Sequence, residues 1–186
     1  MNKFNFDTII KKLESKKSSL PKILANSTKK FFLASWEKQG WDDNGITKWA
    51  PRKKNKKAIG RAVLVKSGAL RRAVNASLKS ATFDSIKFSV DLPYAQIHNE
   101  GGVINKQSRD IALRRRIDAK GNFIKQKTNI NLHVIASSKH KRVGTTFHHI
   151  GSHSINMPQR KYMGDSASLR KIQIGIVQKE IDKIFK

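Results

Sequence analysis

The chain has 186 residues, 38% of them hydrophobic, enough to bury a core within the usual size range of one domain with elaborations. Lys and Arg number 39 against 13 acids, a formal net charge of +26, so the surface repels itself unless nucleic acid, acidic neighbours or a larger assembly relieves it. The absence of cysteine excludes disulfides, thiolate nucleophiles and Cys-based zinc sites.

The first seventeen residues, MNKFNFDTIIKKLESKK, lack the uninterrupted apolar stretch and small-residue cleavage site of a secretory signal. No segment approaches the roughly 20 apolar residues of a membrane span, so synthesis in the cytoplasm and no membrane partner are expected. Phe6, Ile9, Ile10 and Leu13 recur at helical spacing, with Lys11, Lys12, Lys16 and Lys17 largely opposite, which predicts an amphipathic helix over residues 5–18. Pro21 suits the first turn of a second helix, which would present Leu24, Phe31, Phe32 and Trp36 and stop near Gly40. Residues 40–60 lose periodicity and read as a loop. Trp41 and Trp49 flank Asp42, Asp43, Asn44 and Gly45 there, and Arg52, Lys53, Lys54, Lys56 and Lys57 crowd its end.

A helical turn is expected after Gly68, followed by strand character toward Leu78. Ile86, Phe88 and Val90 alternate with Lys87, Ser89 and Asp91, the period of a strand with one wet face, and the two segments are expected to pair around residues 81–85. Pro93 ends that strand, and residues 94–99 read as a helical turn leading to Gly101 and Gly102. Residues 103–155 carry 11 Lys and Arg against only Asp110 and Asp118 and show little helical periodicity. They read as an inserted basic arm or extended hairpin, because a structureless loop of that length is unusual inside a compact domain. Asp165 or Ser166 can cap a closing helix with Leu169, Ile172, Ile176, Val177, Ile181 and Ile184 on one side. The expected fold class is α+β: two N-terminal helices, a small mostly antiparallel sheet with the long basic arm inserted, and a C-terminal helix.

The succession Gly40, Trp41, Trp49, then Leu64 with Ser67, Gly68, Ala69 and Leu70, then Pro93, Tyr94, Ala95, Ile97, His98, Glu100, Gly101 and Gly102, then Met157 through Gly164 resembles the phage virion morphogenesis, or tail-completion, family. In that family a GW…W segment leads to an (I/L)L..(S/T)G.L turn, a strand, a YA.IH..GG turn, an (I/M)PAR.F.G segment and a last helix. The order and approximate separations agree over residues 36–186. Gln159 stands where a small residue is usual and Tyr162 where Phe is common, and the segment between Gly102 and Met157 is longer than the family's connection, so its role is not carried over.

The resemblance implies a non-enzymatic subunit of the head-to-tail neck, assembled in the host cytoplasm and carried in the virion. It would form a homo-oligomeric ring beside portal-side, neck or tail-terminator proteins and need no cofactor. It assigns scaffold roles to Trp41, Trp49, Gly68, Leu70, Tyr94, His98, Gly101, Gly102, Pro158, Arg160 and Gly164. Tyr162 and Met163, just before a glycine and a helix cap, look like a plug that anchors the closing helix.

From the residues themselves, the run Arg52, Lys53, Lys54, Lys56, Lys57 and the triplet Arg114, Arg115, Arg116 are the candidates for contact with nucleic-acid phosphates or acidic partner surfaces. No helix-turn-helix, zinc-finger or RNP signature appears, so any contact with DNA passing the channel is expected to be non-specific. A free non-specific DNA-binding or packaging protein is the alternative class. A metal-dependent nuclease using His98 with Asn99 and Glu100 is a minor one, set against acids that are scattered singly apart from Asp42 and Asp43. His98 is expected instead to cap a turn or pack beside Tyr94. His148, His149 and His153, with His133 and His140 upstream, invite a metal reading, since a helix would aim His149 and His153 at one ion. Gly151 opposes a helix there and the surrounding positive charge opposes a cation, so no metal is expected.

Overall fold

In the computed structural model, which describes residues 6–52 and 60–185, the chain opens with one continuous helix, α1 (Phe6–Lys38), rather than two. Pro21 lies inside it, buried, where its missing N–H and its ring would ordinarily break or kink the rod. The physical reason for continuity lies at the other end of the chain. The closing helix α4 (Ala167–Phe185) touches α1 on both sides of the proline: Lys12 Nζ donates to Ile184 O at 3.3 Å, Lys16 pairs with Glu180, and Gln173 Nε2 donates to Thr28 Oγ1 at 3.0 Å. Rising numbers on α1 meet falling numbers on α4, so the helices are antiparallel and α4 splints the proline.

Between the helices lie β1 (Gly40–Asp42), β2 (Ile46–Lys48), α2 (Ala69–Asn75), β3 (Leu78–Ala81), β4 (Ile86–Phe88) and α3 (Ala95–Glu100), then β5 (Gly102–Lys106), β6 (Arg109–Arg116), β7 (Val143–Ile150) and β8 (His153–Met157). The fold is α+β with a helix at each end. In place of one small sheet the described residues form four two-stranded pairs, β1–β2, β3–β4, β5–β8 and β6–β7. The expected β3–β4 hairpin forms in antiparallel register, Ala81 opposite Ile86, its turn closed by Thr82 N–H to Ser85 O at 2.9 Å. The region read as a loop begins with a hairpin, β1–β2, whose Asp43-Asn44-Gly45 turn sets Asn44 at φ 56°.

The chain divides into two compact units. One holds Met1–Gly102 and Met157–Lys186, the other Val103–Asn156, which is the segment read as an inserted arm. In the first unit the core is aromatic. Phe31, Phe32, Trp36, Trp41, Trp49, Leu70, Val74, Ala95, Tyr162 and Leu169 form one buried cluster. Trp36 meets Trp49 edge to face at 5.7 Å and Tyr162 at 5.3 Å, while Phe31 meets Trp41 at 5.5 Å. Each such pair contributes about 1 kcal/mol beyond the area it buries. In the second unit, β6 and β7 pair from Arg109 opposite Ile150 to Arg116 opposite Val143.

Ser166 ends the run into α4 as expected: its Oγ accepts the Leu169 N–H at 3.2 Å and donates to Asp42 O at 2.7 Å. The β1–β2 turn completes the cap, because Asp43 Oδ1 accepts the Ala167 N–H at 2.6 Å. Among the described residues no helix is long and apolar enough to cross a membrane.

Candidate functional site

The segments that carry the family resemblance meet in one place. Arg160 is the hinge of that meeting. Its backbone N–H donates to His98 O at 2.8 Å, its Nε to Ala50 O at 3.1 Å and its Nη2 to Pro51 O at 3.4 Å, and the side chain is only 7% exposed. Asn99 does comparable work on the next residues: its Oδ1 accepts the N–H of both Tyr162, at 3.0 Å, and Met163, at 3.1 Å. Tyr162, 2% exposed, donates its hydroxyl to Ala95 O at 2.9 Å, and burial, with Glu100 and Tyr94 nearby, pushes its pKa up to about 12. Trp49 Nε1 donates to Lys161 O at 2.8 Å. Tyr162 is thus the anchor the sequence suggests, while Met163 is half-buried against the same cluster.

Glycine permits the closest approach. Gly101 has φ 76°, and a Cβ there would stand 2.8 Å from Gln159 N. The other scaffold residues divide by burial. Trp41, Trp49 and Leu70 are buried; Tyr94 is 40% exposed and Pro158 is exposed. Gly68 precedes α2 with φ 72°, and Gly102 and Gly164 also hold positive φ.

Above Arg160 opens a cleft of about 690 Å³, lined by Arg52, Val63, Leu64, Lys66, Tyr94 and Leu70 together with His98. Leu64 sits at φ 58°, a conformation that costs a residue with a Cβ about 1 kcal/mol or more, and it turns the 62–65 bend that forms one wall. His98 packs against Tyr94 with ring centroids 6.1 Å apart, as expected. Its Nδ1 is buried and has no hydrogen-bond partner among the described residues. Desolvation, then the charges of Arg160 and Arg52, lower the His98 pKa below its ordinary value. The Arg160 pKa is lowered by burial and by Arg52, yet a guanidinium stays charged at any physiological pH. Among the described residues no carboxylate pairs with Arg160, Arg52 or Lys66.

The predicted basic contacts fare differently. Lys53, Lys54, Lys56 and Lys57 lie outside the described residues. Arg52 is half-buried and donates to Ala62 O at 2.9 Å. Arg114, Arg115 and Arg116 lie along β6, so strand alternation puts Arg115 on the face opposite the other two. Arg115 is engaged inside its unit, with Nη1 donating to His133 O at 3.1 Å; Arg114 is exposed. The three arginines therefore do not share one face of β6. Across the ladder, exposed Phe147 stands opposite Ala112, on the Arg114 face.

His148 and His149 are on β7 and His153 on β8, so the helical pair that a metal reading needs does not form. His149 Nδ1 instead meets Asp110 Oδ1 at 2.8 Å. Among the described residues no group of three His, Cys, Asp or Glu side chains gathers around a common point.

Sequence reasoning named Asn99 only beside His98 in the nuclease alternative and missed its bracing of Tyr162 and Met163, and it missed Lys66 and the β1–β2 cap on α4. The Asp-Asn-Gly run between Trp41 and Ile46 is a hairpin signal that would have found the last. Comparison with known proteins yields no matching family model, no matching curated relative and no matching solved structure.

Proposed function

We propose that the chain is a structural virion protein of the phage head-to-tail connection, a tail-completion or neck subunit that works in a ring of identical copies and catalyses nothing. One observation carries the reading. The separated segments that resemble the family, around Trp41, Trp49, Leu70, Tyr94 to Gly102 and Pro158 to Gly164, converge on a single knot held by glycine turns, side-chain-to-backbone hydrogen bonds and aromatic edges. Such a knot fixes subunit shape, which is what a ring component needs.

Two further features support an assembly role. Large apolar side chains are left exposed on α1 and α4, among them Phe6 at 70%, Ile174 at 62% and Phe185 at 65%, and Phe83 between them in sequence at 63%. Covering them with neighbouring subunits would recover roughly 25 cal/mol per Å² of apolar area. The 103–156 unit, with Arg114 and Phe147 on one open face, suits contact with a neighbouring copy, a portal-side protein or DNA passing the channel.

Native mass spectrometry together with a salt titration of duplex binding tests this. The expected result is a discrete homo-oligomer, or binding confined to isolated portal or tail-terminator rings. A monomer that binds duplex DNA with a steep log–log salt slope would replace the reading with a free DNA-binding or packaging protein, the alternative that the +26 charge favours.

A further inference from the structure

We infer that the cleft over Arg160 is a docking site for an acidic peptide segment of a different protein, taking a carboxylate among Arg52, Lys66 and Arg160 and a neighbouring apolar side chain against Val63, Leu64 and Tyr94. The inference holds whether or not the chain is a virion component.

Arg160 is 93% buried, counting from its 7% exposure, and its side chain's only hydrogen-bond acceptors among the described residues are backbone carbonyls. Those carbonyls satisfy Nε and Nη2 but bring no net negative charge. Two more cations, Arg52 and Lys66, line the same cleft, so three like charges share one concavity without a counter-charge among the described residues. Such an arrangement is self-repelling until an anion enters, and a low-dielectric cleft strengthens its pull on one. Burial first, and then the charges of Arg160 and Arg52, lower the His98 pKa, so part of that shift comes from the same positive field.

The shape then selects the class of anion. At about 690 Å³ the cleft is far larger than a single phosphate or carboxylate, and its walls carry Val63, Leu64, Ala69, Leu70 and half-exposed Tyr94. A free ion would leave those walls wet, whereas a peptide carrying an acid beside an apolar residue would use both. Duplex DNA fits poorly, because its phosphates stand on a convex rod and Arg160 is a nearly buried residue lining a concavity. Tyr94 adds the rigid amphipathic ring that recurs as an interface anchor.

The test uses the full-length protein and a short capped peptide alternating leucine and glutamate, followed by calorimetry and by the NMR shifts of the His98 ring. Saturable binding should move those shifts and raise the His98 pKa, because the entering carboxylate opposes the field of Arg160 and Arg52. The glutamine version of the peptide should not bind. Replacing Arg160 would also remove the brace on Ala50 and Pro51, so the informative variant is Lys66→Glu, an exposed residue with no bonding partner among those described. It should keep the melting temperature and weaken the peptide roughly ten-fold. Equal binding of the glutamine peptide, or unchanged affinity in Lys66→Glu, would overturn the inference. So would displacement of the peptide from His98 by inorganic phosphate or duplex DNA at lower concentration than the peptide itself requires, or a His98 shift that appears without peptide and vanishes on dilution, which would make the occupant another copy of this chain.

Discussion

The two units of this chain are ordered by different physics. Every buried side chain among the described residues belongs to the unit built from the two ends of the sequence, and none of residues 103–156 reaches that state. The first unit spends its aromatic residues on one another. The second leaves Phe147 76%, Ile130 69% and Ile135 67% exposed and is held mainly by the β6–β7 ladder. Ladder hydrogen bonds replace bonds to water and yield about 1 kcal/mol each at best, and an isolated hairpin is marginal. The lesson is a division of labour: one unit carries its own stability, and the other gains most from whatever covers it.

The sharpest way to break that contrast is to remove a ring from each unit. Tyr162→Ala opens a cavity in the knot and removes the hydroxyl's bond to the Ala95 carbonyl, so it should cost about 4 kcal/mol in denaturant unfolding, while Phe147→Ala should change stability by less than about 0.5 kcal/mol. Comparable costs would mean that the second unit is packed after all. Gly101→Ala forces a Cβ toward Gln159 N at positive φ and should cost about 2 kcal/mol, measured the same way. Ser166→Ala removes the α4 cap and the bond to Asp42 O, an expected loss of about 1.5 kcal/mol in thermal unfolding.

The smallest effect is a pH dependence. The folded protein holds His98 below its ordinary 6.5, so the unfolded chain binds the extra proton first. The stability contributed by neutral His98 is therefore complete above about 6.5 and is lost as the pH falls toward the lower folded value. The melting temperature should drop between pH 7 and pH 5, and His98→Gln should flatten that drop. Asp42 and Asp165, both held below the usual carboxylate range by hydrogen bonds to Lys38 and Arg170 first, contribute stability that is lost only at more acidic pH.

Local grammar was legible where neighbours in sequence decide the outcome. The β3–β4 hairpin, the turn after Gly68, the short helix before Gly101 and the Ser166 cap all follow from residues within a few positions. Pro21 misled because the helix α4 that splints it lies about 150 residues away, and proline's local preference for a first turn is outweighed by that packing. That Arg115 faces away from Arg114 and Arg116 was not legible, because adjacency in sequence does not announce a strand's alternation. The cleft over Arg160 was beyond reach for a similar reason: its lining comes from residues 52–70, 94–98 and 160, which only the folded chain assembles. Arg160 and His98 were legible as members of a pattern, but their shared positive field was not.

The proposed place in the virion is tested most directly by imaging purified particles that bear a labelled copy of this chain. Density for the label confined to the collar where head meets tail, repeated around the axis, is the predicted result. Particles that assemble and join normally with no label at the collar would contradict it.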